Sequence, residues 1–145
     1  MRKNVILVVD DDPGVRKISE LWLTTYFPEN EVRLASGVKE ALEALEDQPI
    51  HAVISDWAMP EPGDGFDLAK KLQSSGFDLE QFLLTSGEIT VGDLPEEPKV
   101  EFVPKGDLDS LKIWCASHIE PYQQARHKGE RMRTLLVVDD DELVR

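Results

Sequence analysis

The chain has 145 residues, which suits one ordinary domain with an appendage and is long enough to bury a core of its own. Its 16 basic and 29 acidic residues give a formal net charge of −13, which disfavours nucleic acid and anionic membranes as direct partners. No apolar run approaches the length of a membrane span, and the N-terminal residues lead straight into a strand-like run without a signal sequence, so we expect a cytoplasmic protein.

The chain opens with a strand pattern and a helix start. Val5 to Val9 is a continuous apolar run, typical of a strand that is covered on both faces. Three acids follow, and the last of them, Asp12, precedes Pro13, which predicts Asp12 as the N-cap of a helix that stops before Pro28. The core face of this helix is predicted from helical spacing to comprise Val15, Ile18, Leu21 and Trp22.

Two further pairs of strand and helix follow. The second strand is predicted at Glu31 to Ala35, and Ser36 is predicted to cap the helix after it. The core face of that helix is predicted to comprise Val38, Ala41, Leu42 and Leu45. The third strand is predicted at Ala52 to Asp56, before a loop rich in proline and glycine. The next helix, which is expected to end near Gly76, has a core face marked by Phe66, Ala69 and Leu72.

The second half of the chain alternates less regularly. The fourth strand is predicted at Gln81 to Thr85 and a fifth, edge-like strand at Val100 to Val103. Between them, residues 86 to 99 contain two glycines and two prolines, so a loop is expected where a fourth helix would ordinarily lie. A last helix is predicted from Asp107 to about Glu120, with one face formed by Leu108, Leu111, Trp114 and His118. Its Cys115 is predicted to be a buried thiol without a chemical role.

Strands that alternate with helices predict an α/β fold, here a doubly wound five-stranded parallel sheet whose fourth helix is short or missing. In such sheets chemistry gathers at the carboxyl ends of the strands. The polar residues that close successive strands in this chain are Asp10 and Asp11, Asp56, Thr85 and Lys105. The topology therefore predicts that these side chains lie at one edge of the sheet.

This set of residues points to phosphoryl transfer. Carboxylates as close as Asp10, Asp11 and Asp56 repel one another unless a cation joins them, and a small site of oxygen ligands suits Mg²⁺. A carboxylate nucleophile beside Mg²⁺, with a hydroxyl and an ammonium to meet negative charge, is what phosphoryl transfer onto an aspartate requires. Asp56 is the predicted nucleophile, and Thr85 and Lys105 are the predicted hydroxyl and ammonium.

The motifs resemble the receiver domain of two-component response regulators. The likeness covers residues 4 to about 120 and is carried by Asp10-Asp11 after Leu-Val-Val, by Ser-Asp56-Trp-Ala-Met-Pro, by Thr85-Ser86 and by Lys105. The resemblance implies a flavodoxin-like fold and a regulatory phosphoacceptor rather than an enzyme. It also implies that Asp56 takes its phosphoryl group from a phosphohistidine on a sensor histidine kinase or a histidine phosphotransfer protein.

The same resemblance assigns roles to individual residues. It implies that Asp11, Asp56 and the Ala58 carbonyl hold Mg²⁺, with Asp10 assisting through water. Thr85 and Lys105 would bind the phosphoryl group, and Phe102 matches the aromatic residue of the conformational switch. This chain departs from the family pattern in four places, which are Gly106 where a proline usually follows the lysine, a long loop over residues 61 to 65, the weak fourth helix, and the start of another receiver in place of an effector.

The C-terminal residues repeat the start of the chain. Leu135 to Asp141 repeats Ile6 to Asp12 at an offset of 129 residues, and Val144-Arg145 repeats Val15-Arg16. The repeat predicts a receiver domain over residues 1 to 120, a basic linker over 121 to 133, and the first strand and helix start of a truncated second receiver domain over 134 to 145. Alternatively, this strand pairs with another chain or replaces its twin in a neighbour, which would make a homodimer.

Two other functions fit parts of the sequence. A receiver-like module that binds or dimerises without phosphate is favoured by the missing helix and by the altered loop at Lys105. A phosphatase resembling the haloacid-dehalogenase class would use Asp10 and Asp12 as its nucleophile and acid, with Thr85 or Ser86 and Lys105 in later motifs. The phosphatase hypothesis leaves the position of Asp56 and the internal repeat unexplained.

Overall fold

The computed structural model describes residues 3 to 119. Its five strands are β1 (Asn4–Val9), β2 (Asn30–Ala35), β3 (Ala52–Asp56), β4 (Phe82–Ser86) and β5 (Glu101–Pro104). Its four α-helices are α1 (Pro13–Tyr26), α2 (Val38–Asp47), α3 (Asp64–Ser74) and α4 (Leu108–His118). Within residues 3 to 119, no helix is long and apolar enough to cross a membrane.

The strands form one parallel sheet in the order β2-β1-β3-β4-β5. The strand order therefore reverses between β1 and β3, and the crevice at such a reversal is where open α/β sheets bind ligands. Val9 of β1 pairs with Ser55 of β3, and Asp56 pairs with Thr85 of β4, so three strands end at one level. The predicted doubly wound five-stranded fold is confirmed.

The core lies on both faces of the sheet. Leu7 and Val9 of β1 pack with buried residues of α2 and α3, whereas Ile6 and Val8 pack with buried residues of α1 and α4. Alternate side chains of a strand point to opposite faces, so a strand covered on both sides must be apolar throughout. Val5 to Val9 are all buried, which explains the unbroken apolar run in the sequence.

The connection from β4 to β5 contains one short 3₁₀ turn, Val91–Asp93, and no α-helix, within residues that the structure describes in full. The prediction of a loop in place of a fourth helix is confirmed. Thr90 and Asp93 cap each other across this turn, and Leu94 packs against the core on the side of α2 and α3. Cys115 is buried, also as predicted.

The core face predicted for α1 is wrong in part. Ile18 and Leu21 are 69% and 67% exposed, whereas Leu23 is 2% exposed and packs on the sheet. The helix is oriented by Leu23 and by Phe27, the residue just after its end, which both lie in the core beneath it. The outer side of α1 therefore carries apolar side chains that the sequence pattern assigned to the core.

Two smaller predictions about helices also need correction. Ser36 does not cap α2, because the residue before the helix is Gly37, and the Ser36 main-chain N–H instead donates to Glu40 Oε1. Leu108 begins α4 and is 53% exposed, so the buried side of that helix is formed by Trp114 and Cys115. The predicted basic linker and the C-terminal repeat, residues 121 to 145, lie outside the described residues.

Candidate functional site

Asp56 ends β3 at the reversal of strand order. Its side chain is 11% exposed, and its Oδ1 accepts a hydrogen bond from the Trp57 main-chain N–H at 2.9 Å. The same N–H donates to the Thr85 carbonyl oxygen at 2.9 Å, which ties the residue after Asp56 to β4. The carboxylate is thus held by its own strand end, with one side turned toward the end of β1.

Asp10 follows β1 directly and is 3% exposed. Its N–H donates to the Ala35 carbonyl oxygen of β2 at 3.1 Å, and its Oδ1 accepts the Asp12 N–H at 2.9 Å. Asp12 itself caps α1, since its Oδ1 accepts the N–H of Gly14 at 2.8 Å, as the sequence predicted. The loop between β1 and α1 is therefore fixed by hydrogen bonds at successive acidic residues.

The three predicted acids meet at this edge of the sheet. One carboxylate oxygen from each of Asp10, Asp11 and Asp56 lies within 4.8 Å of the other two. Asp10 is buried, Asp56 is half-buried and Asp11 is exposed, so the cluster is reached from solvent on the side of Asp11. Hard carboxylate oxygens with one solvent-facing side fit a small divalent cation that keeps several of its waters.

Lys105 closes the site from the end of β5. Its Nζ lies 3.2 Å from Asp10 Oδ2 and 3.2 Å from Asp56 Oδ1. Gly106, which stands where the family usually has a proline, has a φ of +90°, in the left-handed region that favours glycine. The Lys105 main-chain N–H donates to the Ser86 carbonyl oxygen at 2.9 Å, so the lysine is still aligned by the sheet.

The pKa values of Asp56 and Lys105 reflect how close the charged groups of the site lie to one another. Burial and the negative charge of Asp10 raise the pKa of Asp56, while the Lys105 ammonium and the Trp57 N–H act in the opposite direction. Burial alone would lower the pKa of Lys105, but the charges of Asp56 and Asp10 outweigh it and the pKa is raised. The ammonium therefore stays charged and partly neutralises two carboxylates.

The remaining predicted site residues lie nearby with fewer contacts. Thr85 is half-buried and pairs with Asp56 across the two strands. Ala58 is half-buried in the loop after Asp56, and its carbonyl as a metal ligand stays a prediction. Phe102 is half-buried, pairs with Leu84 and packs against the core on the side of α2 and α3. Its role as a switch residue also stays a prediction.

Two residues next to the site were not assigned a role from the sequence. Gly65, the second residue of α3, packs against the main chain of Asp56 with no room for a side chain. Arg16 of α1 donates from Nη1 to the Asp10 carbonyl oxygen at 2.7 Å. The sequence contains one signal for Arg16, its presence in the internal repeat, and Gly65 falls in a stretch whose pattern predicts a turn.

The comparison with protein families matches residues 6 to 96 to the response regulator receiver domain. Response regulator protein PilR of Pseudomonas aeruginosa is 34% identical over 73 residues, which are 50% of this chain and 16% of PilR. Response regulator MprA of Mycolicibacterium vanbaalenii is 38% identical over 81 residues, which are 56% of this chain and 34% of MprA. The chain thus matches well under half of the length of these two relatives.

Solved structures show the same fold. A response regulator receiver protein from Pseudomonas putida has a TM-score of 0.68 at 27% identity, over 81% of this chain and 98% of that one. TrrA from Thermotoga maritima, crystallised in complex with Mg²⁺-BeF, has a TM-score of 0.68 at 24% identity, over 80% and 99%. A CheY-like receiver domain from Methylobacillus flagellatus has a TM-score of 0.65 at 21% identity, over 80% and 98%.

The family match covers more than half of the chain, and the sheet order and the acidic pocket at the strand ends agree with it. The chain therefore belongs to the response regulator receiver domain family of two-component systems, a family of regulatory phosphoacceptor domains with a CheY-like fold rather than of enzymes.

Proposed function

We propose that this domain accepts a phosphoryl group on Asp56 in a Mg²⁺-dependent reaction and changes conformation to control a downstream output. The observation that carries the proposal is the arrangement around Asp56. Carboxylate oxygens of Asp10 and Asp11 lie within 4.8 Å of its own, and the Lys105 Nζ lies 3.2 Å from its Oδ1. The arrangement therefore provides a cation site and an ammonium, the two groups that a carboxylate nucleophile needs beside it.

The phosphoryl donor is a phosphohistidine on a sensor histidine kinase or a histidine phosphotransfer protein. Membership in the family implies a sensor kinase as the partner, while its identity is open. An oxygen of Asp56 forms the new bond to phosphorus as the bond from phosphorus to the imidazole nitrogen breaks, and the product is an acyl phosphate. The cytoplasmic location expected from the sequence remains a prediction.

Different residues around Asp56 would hold Mg²⁺ and contact the phosphoryl group. The carboxylates of Asp11 and Asp56 and the carbonyl of Ala58 would hold Mg²⁺, with Asp10 assisting through water. When bound, the ion neutralises the carboxylates and the charge on the transferred group. The Mg²⁺-BeF complex of TrrA, a protein with the same fold, supports a Mg²⁺ site in this pocket. Lys105 and the Thr85 hydroxyl would contact the phosphoryl oxygens.

We propose that the conformational change caused by phosphorylation passes from Thr85 to Phe102. Thr85 lies beside Asp56 on β4, and Phe102 lies two residues before the end of β5. Phe102 pairs with Leu84, the residue before Thr85, so a shift of Thr85 toward a phosphoryl group would reach Phe102 through the main chain of β4 and β5. Because β4 and β5 are joined by a loop without an α-helix, the surface that responds is expected to differ from that of relatives with a full helix there.

The test is chemical phosphorylation by acetyl phosphate with Mg²⁺, followed by intact mass spectrometry. We expect one added phosphoryl group on the wild type, none on Asp56→Asn, and normal addition on Asp109→Asn, a matched change at an exposed acid of α4. If the wild type takes up no phosphate under conditions that label a known receiver, the proposal is wrong. Phosphate found on Asp10 would favour the phosphatase-like alternative instead.

A phosphate-independent binding module is the second candidate. The loop in place of a helix between β4 and β5, and Gly106 after the lysine, favour it. The phosphatase-like alternative is disfavoured because the Asp10 carboxylate is buried and already engaged by the Asp12 N–H and Lys105. The binding module would be supported if Asp56→Asn still binds its partner and if acetyl phosphate does not change partner binding by the wild type.

We further propose that residues 134 to 145 begin a second receiver domain, on the strength of the sequence repeat alone. The alternative is a homodimer in which this strand pairs with another copy. Measuring the solution mass of the full chain and of a chain that ends at Arg133 separates the two. Equal monomeric masses support a second domain start, and a dimer that is lost on truncation supports pairing between copies.

A further inference from the structure

Arg16 reaches back from α1 to the loop that carries the acid pair. Its side chain is half-buried, and its Nη1 donates to the main-chain carbonyl oxygen of Asp10 at 2.7 Å. A charged donor at this distance makes one of the stronger hydrogen bonds found in proteins. In the described hydrogen bonds Arg16 thus contacts neither Asp56 nor the acid carboxylates, but the peptide group that joins Asp10 to Asp11.

The Asp10 carbonyl needs such a donor. Asp10 lies just beyond the end of β1, and its N–H still donates to Ala35 of β2. Its carbonyl oxygen lies beyond the last hydrogen bond of the strand, and a buried carbonyl without a partner destabilises the conformation that buries it. The Arg16 guanidinium supplies that partner. Asp10 is therefore held on both sides, by β2 through its N–H and by α1 through its carbonyl oxygen.

The orientation of the Asp10–Asp11 peptide group sets the direction of the Asp11 side chain relative to the Asp10 side chain. The plane that contains the Asp10 carbonyl also contains the Asp11 N–H, so a rotation of the plane turns the Asp11 side chain relative to Asp10. In the observed orientation the Asp10, Asp11 and Asp56 oxygens converge within 4.8 Å. The Asp12 N–H on Asp10 Oδ1 holds the Asp10 side chain but leaves the Asp11 direction to the main chain.

The internal repeat supports a role for this position independently of the coordinates. Both copies keep the acid pair and an arginine six residues after its first member, at Asp10 to Arg16 and at Asp139 to Arg145. Of the residues between, only Pro13-Gly14 differs, being replaced by Glu142-Leu143. The arginine is thus retained together with the acid pair while the helix start beside it has changed.

We propose that Arg16 is a positioning residue that fixes the Asp10 peptide and thereby sets the affinity of the acidic pocket for a divalent cation. This rests on the proposed function of the pocket. Charge alone predicts the opposite effect, because removing a cation near three carboxylates favours the binding of another cation. The direction of the change in Mg²⁺ affinity therefore distinguishes positioning from electrostatics.

The experiment compares Arg16→Met with Lys17→Met, which removes the same charge from the adjacent, exposed residue of the same helix. Mg²⁺ binding is measured by calorimetry on the full chain, without any phosphodonor. We expect Arg16→Met to weaken Mg²⁺ binding by about tenfold, as is usual for groups that orient metal ligands. Lys17→Met should bind Mg²⁺ as tightly as the wild type or more tightly.

A second readout separates positioning from general damage to the fold. With acetyl phosphate, Arg16→Met should need more Mg²⁺ for half-maximal phosphorylation, while its rate at saturating Mg²⁺ stays within about twofold of the wild type. Should Arg16→Met fail to fold, Arg16→Gln, whose shorter amide cannot span the same distance, is expected to show the same shift.

Two outcomes would overturn the inference. If the wild type binds Mg²⁺ and the Arg16 variants bind it equally well or better, Arg16 does not position the acids, although the proposed function stands. If the wild type itself binds no Mg²⁺, the inference falls together with the proposed metal site.

Discussion

Gly65 lies directly against the main chain of Asp56. A methyl group placed on Gly65 would overlap the Asp56 carbonyl oxygen and come within 2.8 Å of Leu84 Cδ1. The Gly65 N–H also donates to the Trp57 carbonyl oxygen at 2.9 Å. The first turn of α3 therefore packs on the strand end that carries Asp56, the proposed phosphoacceptor, so the helix position and the Asp56 position are coupled.

Gly65→Ala should destabilise the protein by about 1–3 kcal/mol in urea denaturation, because the main chain that it would overlap cannot move aside without shifting β3. In an unobstructed helix the same change stabilises by up to about 1 kcal/mol, so the sign is informative. Gly37→Ala is the control, since a methyl group there would meet nothing closer than 3.9 Å. A stabilising effect of Gly65→Ala would show that α3 is not packed as described.

Asp56→Asn should raise the urea midpoint at neutral pH when no divalent cation is present. Burial and the charge of Asp10 raise the pKa of Asp56, so the folded state holds the proton more tightly than the unfolded state. Stability from a carboxyl of this kind is present at low pH and is lost as the pH rises through the raised pKa. The gain from Asp56→Asn should therefore shrink as the pH falls toward about 4. A lower midpoint for Asp56→Asn at neutral pH would contradict the prediction.

Mg²⁺ should make the wild type more stable than Asp56→Asn, the opposite of what is expected without a divalent cation. At about ten times its dissociation constant, a ligand that binds only the folded state adds about 1.4 kcal/mol of stability. We expect this gain in the wild type and a smaller one in Asp56→Asn, which has lost a ligand. Urea titrations with and without Mg²⁺ measure it, and equal gains in the two proteins would show that Asp56 does not take part in the cation site.

The sequence predicts where the proposed site residues lie because their placement depends on topology alone. A parallel sheet brings the ends of its strands to one edge, so Asp56, Thr85 and Lys105 could be placed together from their positions after apolar runs. Gly65 and Arg16 depend instead on which atoms of distant segments come into contact. Such close approaches are set by packing in three dimensions and leave no periodic signal in the chain.

Asp107 should stabilise α4 as its N-cap in a pH-dependent way. Its Oδ1 accepts the Ser110 main-chain N–H at 3.1 Å and its Oδ2 the Ser110 hydroxyl at 2.8 Å, which lowers the pKa of the carboxyl. A lowered pKa means that the stabilisation is present above the unfolded pKa and is lost as the pH falls. Asp107→Ala should lower the melting temperature at pH 7 and have less effect near pH 3, while Asp107→Asn, which keeps an acceptor, should act more weakly. Equal effects of Asp107→Ala at both pH values would exclude a charge-dependent cap.

The orientation of α1 shows where sequence periodicity falls short. Ile18, Leu21 and Leu23 are all apolar and lie within six residues, so more than one helix face can be drawn through them. The sheet beneath the helix decides between these faces, because Leu23 fits among Ile6, Val8 and their neighbours while Leu21 is left outside. A one-dimensional pattern contains no information on the surface against which the helix will rest.

Substitutions in α1 provide a direct check of this orientation. Leu23→Ala should destabilise the protein by about 2–5 kcal/mol, since it removes a side chain that is 2% exposed and leaves a cavity against the sheet. Leu21→Ala, the same chemical change two residues earlier, should alter the free energy of unfolding by no more than about 0.5 kcal/mol, since that side chain is 67% exposed. Urea denaturation of both variants measures the difference, and a large loss for Leu21→Ala with a small one for Leu23→Ala would restore the face predicted from the sequence.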